Sequence, residues 1–265
     1  MNYIPLTAGD LAIAALLVLA NAGLSWWLEL GIGRRLLISA VRAAVQLALV
    51  GVALTALFSV RSAPWTAAMA VAMILLAGRE ATARQDRQFA GWWTYGIGTA
   101  SMTMAATIVT LIALTTAIQP QPWYDPRYAI PLLGMILGNC MNGVSLGLST
   151  LTATVAHERP AIEARLALGA TRREALRPST TRALRAATTP IVNAMSALGL
   201  VSLPGMMTGQ ILAGADPVEA AKYQLLIMFL IAGGTGLGAV SAVILGVLRL
   251  TDARHRLRLD RLRAA

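Results

Sequence analysis

The chain has one cysteine, two histidines and only 12 acidic residues among 265. With Cys140 alone, no intrachain disulfide can form, and its place inside an apolar run suits a small packing residue. Both histidines, His157 and His255, lie in charged segments outside the apolar runs. No histidine base is therefore at hand for Ser145, although Gly143-Val144-Ser145-Leu146-Gly147 spells G-x-S-x-G, and that serine sits in an apolar helical run rather than at a strand-to-helix turn. A hydrolase is excluded on both counts. The chain also lacks G-x-x-x-x-G-K-[ST], so it has no loop to cradle nucleotide phosphates. It has no basic-aromatic module either, which removes nucleic acid as a partner despite a formal charge of +10. The N-terminus lacks the basic n-region of a cleavable leader, so its first apolar run is expected to be retained.

What the chain has in abundance is apolar residue: 57% of the sequence, with 13% charged and a mean hydropathy of +0.65. These values fit an all-α, multi-pass membrane protein, a single transmembrane domain over residues 1–265 embedded in a lipid bilayer. A hydrocarbon core of about 30 Å needs about 20 apolar residues per helix. By that measure seven spans are expected, near Leu6 to Leu28, Leu36 to Val60, Pro64 to Leu76, Trp92 to Ile118, Tyr128 to Val155, Thr189 to Ala213 and Tyr223 to Leu250. The purely apolar part of the third is short and must borrow polar ends or continue past Gly78. With the N-terminus outside and the C-terminus cytoplasmic, all the cationic residues except Arg61, Arg127 and Lys222 fall on the inner side. Tryptophans 26, 27, 65, 92, 93 and 123 stand at run ends, at headgroup level. The tail 251–265 is read as a topology anchor, with a basic surface helix as the alternative.

Polar residues inside the runs are candidates for a transport path. In the fifth run, Gly134, Gly138, Gly143 and Gly147 form two small-xxx-small pairs and are expected to make one packing face. Asn139 and Asn142 lie between them and either bond a neighbouring helix or line a path. In the sixth run Pro204-Gly205 must kink or break the helix. Non-helical backbone at that depth belongs in protein or beside a cavity, so Pro204, Gly205, Met206, Met207 and Gln210 are candidates for a gate or translocation surface, with a purely structural kink as the equal alternative. Met206 and Met207, with Met135, Met141 and Cys140, are the soft donors available to a metal, and packing is their alternative use. Nearer the inner face stand Glu29, Arg42 and Gln46; an Arg42–Glu29 contact would relieve both charges, and snorkelling of Arg42 alone is the simpler account. Arg79 and Glu80, followed by Arg84, Asp86 and Arg87, form a charged inner loop, either a second docking surface or a solvated helix end.

The segment from Ala156 to Arg185 is the longest basic stretch, and Pro160 suits the start of a short surface helix within it. Glu163-Ala164 followed by Gly169 resembles the cytoplasmic coupling motif of ABC-transporter permeases. The importer pattern's later Ile-x-Leu-Pro element is replaced here by Ser179-Thr180-Thr181-Arg182. That resemblance assigns Glu163, Ala164, Gly169, Ala170, Arg172 and Arg173 to a surface that an ATPase grips, on a helix running from Glu163 to Leu176.

Over nearly its whole length the chain resembles the FetB-type permease family. The resemblance is carried by Arg42 with Val45-Gln46-Leu47, Arg79-Glu80-Ala81, Gly134 to Asn139 with Met141-Asn142, Glu163 to Ala170, and Leu200 to Gln210. It implies an inner-membrane permease subunit, a homodimer working with a separate FetA-type ATPase, in which ATP and magnesium would reside, and linked in bacteria to iron export. This chain itself is then not an enzyme and binds no cofactor. The competing readings are an ATPase-independent secondary transporter or uniporter, and a membrane scaffold. Proton coupling would call for buried acids, and the chain offers only Glu29 and Glu80, near run ends.

Overall fold

The computed structural model describes residues 7–60, 62–85, 87–252 and 254–264. Leu6, Arg61 and Asp86, which entered the readings above, lie outside them. The protein is all-α, and among the described residues only two three-residue strands interrupt the helices and their connections. Six helices among the described residues are long and apolar enough to cross a membrane. Four of them, and several shorter elements, belong to a compact unit from Ser62 to Ala265, and a smaller unit covers Met1–Arg61.

In the smaller unit, α1 (Ala8–Trp27) is started by a capping box, with the Thr7 side chain and Asp10 exchanging bonds with backbone N–H groups. It pairs with α2 (Gly33–Val60), whose first glycine sits against the Ala22 carbonyl and the Trp26 ring. Glu29 lies in the turn between them at φ +52°.

In the larger unit, α3 (Ala63–Ala83) starts with Pro64 in its first turn and runs through Gly78. α4 (Trp93–Ile112) ends in a π-helical stretch, Ala113–Ile118, stopped by Gln119 in the left-handed region. α5 (Pro126–His157) and α9 (Pro217–Leu250) each begin Asp-Pro: proline sets the helical φ, and the aspartate accepts backbone N–H bonds. α5 is the central element and packs on α3, α4, α7 and α9. Between them lie α6 (Arg159–Ala167), α7 (Arg172–Ala197) and α8 (Gly205–Leu212).

The expected sixth span is where the structure departs from the seven-span count. α7 stops at Ala197, the chain turns through Gly199 at φ +78°, and helix resumes only at Gly205, capped by Pro204. The apolar sequence continues, but Pro204 has no N–H to give and holds extended backbone, so one helix becomes two.

The four glycines of α5 also do not make one face. A Cβ on Gly143 would lie 2.7 Å from Thr235 Cγ2 on α9, and one on Gly147 would lie 3.2 Å from Val243 and 3.3 Å from Ala187. Gly134 meets Met73 of α3, and Gly138 meets nothing within 4 Å. The five-residue step from Gly138 to Gly143 turns the helix by about 140° beyond a full turn, which puts the two pairs on different sides.

The C-terminal tail is not a helix. It folds back so that β2 (Leu262–Ala264) pairs antiparallel with β1 (Arg87–Phe89), the loop between α3 and α4, with Gln88 opposite Arg263. Phe89 is buried there against the glycine side of α9.

Replacing Gly143 by valine is expected to destabilise the protein by about 1–3 kcal/mol, the usual cost of overpacking, while Gly138→Ala is tolerated. Thermal unfolding in detergent checks the pair; equal midpoints would show that α5 and α9 are not in close contact.

Candidate functional site

α6 stands at the end of the most densely packed helix with one residue, Glu158, between them. Pro160 in its first turn favours helical φ, and Gly169 ends it at φ +92°, where a side chain would be strained. The Ala170 N–H returns to the Arg165 carbonyl at 3.1 Å and the Gly169 N–H to the Leu166 carbonyl at 3.1 Å, the pair of bonds that closes a Schellman turn. Thr171 and Glu174 then form a capping box that starts α7, and the Thr171 bonds hold the Glu174 carboxyl below the usual range. The stretch from Glu163 to Leu176 is therefore not one helix. A left-handed glycine separates a short arm from a long one.

The underside of α6 is fixed. Ile162 is fully buried, and Arg165 Nη1 donates to the Ala175 carbonyl at 3.2 Å. Glu158 accepts from Arg182 at 2.7 Å and from the buried Ser179 hydroxyl at 3.3 Å, tying the α5–α6 junction to α7. The Arg182 bond is the main reason the Glu158 carboxyl titrates below its ordinary range. The outer face is open: Glu163, Ala164, Gly169 and Arg173 are exposed, Ala170 and Arg172 half-buried, and Leu168 is 88% exposed. Glu163 makes only a surface pair, with Arg159 one turn back at 2.8 Å. The six residues expected at a coupling surface thus lie at the α6–α7 corner, four of them exposed and two half-buried. The Glu158–Ser179–Arg182 clamp beneath them was not foreseen, because its partners are more than 20 positions apart and no local spacing marks them.

The candidate path residues fall in two places. On α5, Asn139 donates to the Met135 carbonyl of its own helix at 2.9 Å. Asn142, exposed, accepts from Arg84 Nη1 at 2.8 Å. Arg84 also reaches Glu80 at 3.4 Å, and Ser145 donates to the Ala81 carbonyl at 2.9 Å, so the end of α3 is bonded twice to α5. Ser145 is thus a helix-to-helix donor inside α5. The second place is α8, which packs on α9: Pro204 and Gly205 open it, Met206, Met207 and Gln210 are half-buried, and the Gln210 Oε1 is buried without a partner. Arg79 is exposed one turn before the end of α3, and Arg42 and Gln46 lie on α2 in the smaller unit. Cys140 is buried in the α5–α9 contact. Among the described residues, no three His, Cys, Asp or Glu side chains gather as metal ligands.

Comparison with known proteins gives this geometry a family. Residues 8–250 match the pattern described as "Uncharacterised protein family (UPF0014)". The chain is 40% identical to the UPF0014 membrane protein slr1647 of Synechocystis over 217 residues, 80% of this chain and 81% of that one. It is 34% identical to the probable iron export permease protein FetB of Escherichia coli over 257 residues, 97% of each chain. It is 33% identical to the UPF0014 membrane protein STAR2 of Oryza sativa, over 91% of this chain and 85% of that one. No solved structure matches.

Replacing Glu158 by glutamine is expected to lower the thermal midpoint at neutral pH. A carboxyl with a lowered folded pKa contributes fully above its unfolded value, about 4.3, and loses that contribution as pH falls through the folded value. The difference between wild type and Glu158→Gln should therefore shrink on acidification below that range; a constant difference would mean that ionisation plays no part in the clamp.

Proposed function

The chain belongs to the UPF0014 family of membrane proteins, and on that premise we propose that it is the permease subunit of an ABC transporter, exporting iron or another metal cation. A separate ATPase binds the nucleotide and magnesium. The observation that carries this reading is α6: a short helix held rigidly from below, open above, and joined end-on to the central helix. The FetB relative's name supports the cargo, and that relative matches from end to end. The protein works as a homodimer in the inner membrane, N-terminus outside and C-terminus in the cytoplasm.

Closure of the ATPase pair moves α6. Because Glu158 is the only residue between α5 and α6, and Glu158 also holds Arg182 of α7, both helices receive that displacement. α7 leads on to the break at Pro204 and to α8. Asn139 and Asn142 on α5, with Met206, Met207 and Gln210 on α8, supply amide and thioether contacts along a path that opens to alternate sides. The unpaired Gln210 oxygen is an acceptor left for a passing cation or its hydration shell.

Tagged protein in mild detergent should bring down an ATPase, and Glu163→Ala with Gly169→Val should reduce the captured ATPase at least about tenfold, the effect of losing roughly 1.4 kcal/mol of docking energy. The left-handed φ of Gly169 makes valine reshape the corner without touching the spans. Unchanged capture and unchanged transport by the double variant would refute the docking role; absence of any ATPase would favour a uniporter.

A further inference from the structure

A cavity of about 790 Å³ opens where the C-terminal part of α3, the strand pair β1–β2 and the first turn of α4 meet. Among the described residues its wall carries Arg79 and Arg263 as cations and no carboxylate. Arg263 is there only because the tail returns: the β2 register puts it opposite Gln88, which also lines the cavity. Glu80, next along the chain, is occupied with Arg84 and does not line the cavity. The rest of the wall is amphipathic. Trp92, 84% exposed, meets Tyr95 edge to face at 6.2 Å, and Tyr95 Oη donates to the Leu75 carbonyl at 3.4 Å. Leu75 and Leu76 are 50% and 64% exposed and lead from the arginines along α3 toward the apolar middle of the span.

We propose that this cavity binds the headgroup of an anionic glycerophospholipid, with its phosphodiester between Arg79 and Arg263 and an acyl chain along Leu75 and Leu76. The chemistry follows from position. Two spanning helices begin or end at this level, which places the cavity at the headgroup layer, where tryptophan is favoured and basic residues attract anionic lipid. A soluble anion would use the two cations but leave Trp92, Leu75 and Leu76 uncovered. A lipid uses both, and a guanidinium pair suits a phosphodiester better than it suits a neutral surface. The site is independent of α6 and of any ATPase.

The test is native mass spectrometry of the full chain in detergent, with added dioleoylphosphatidylglycerol or dioleoylphosphatidylcholine, which share acyl chains and differ in headgroup charge. Wild type should retain the anionic lipid in preference. Arg79→Gln with Arg263→Gln should cut that retention by about ten- to thirtyfold, as expected for two interfacial arginines, and Arg79→Lys with Arg263→Lys should largely restore it. Arg127→Gln, at the start of α5 and outside this cavity, should leave retention unchanged. The proposal is overturned if the glutamine pair retains lipid as wild type does, if the lysine pair fails like the glutamine pair, if both lipids bind equally, or if millimolar inorganic phosphate displaces the lipid. Loss of ATPase capture with lipid retention intact would assign the cavity to a protein partner instead.

Discussion

The larger unit depends on how closely α5 approaches its neighbours. Between helices in lipid, water offers no driving force, and association rests on packing and on bonds between backbones at short range. Gly143 and Gly147 let α7 and α9 come against the α5 backbone, and α9 returns the fit with Gly234 against Ile136 and Gly246 against Leu148 and Leu151. Ser145 and Asn142 add bonds to the end of α3. An element gripped on four sides cannot bend locally without opening several contacts, so a force at its end moves it as a body. α6 is attached at that end, which gives its position mechanical meaning.

Much of the architecture could be read from the apolar runs, because length and hydropathy are local properties that a bilayer enforces. The third run did continue past Gly78, as its short apolar part required, and Pro204 did break the sixth. The break went further than a kink: the seven residues from Leu198 to Pro204 leave the helix, and hydropathy cannot see this because all of those residues but Ser202 are apolar. Gly199 was the local signal, since a left-handed φ ends the first helix and Pro204, five residues on, opens the next. The glycine face was misread for a different reason. Two correct i,i+4 pairs were joined across a five-residue step, and helical phase does not survive it.

At the candidate site, the coupling corner was legible because it is continuous in sequence: Pro160 starts α6, Gly169 ends it, and Thr171 with Glu174 starts α7. Its support was not. Glu158 and Arg182 are 24 positions apart and Arg84 and Asn142 are 58 apart, and only the packing of α5 decides which of the many arginines meets which acceptor. The pairing β1–β2 is the extreme case. Three residues on each side, separated by most of the chain, have no alternating pattern strong enough to mark a strand.

That pairing changes the meaning of the tail. A purely electrostatic anchor needs charge but no fixed place, whereas this tail is bonded at specific points. The Arg258 N–H returns to the Leu250 carbonyl, Arg261 Nη1 donates to the Arg249 carbonyl, and β2 completes the sheet with the α3–α4 loop. His255, held at φ +56°, accepts the Arg172 N–H at 3.1 Å, directly at the start of α7. One short segment therefore touches both the corner beside α6 and the arginine cavity on α3 and α4. Holding a charged tail so specifically costs chain entropy that charge bias alone would not require. The excess order is accounted for if the tail's task is to fix Arg263 at one end and the first turn of α7 at the other.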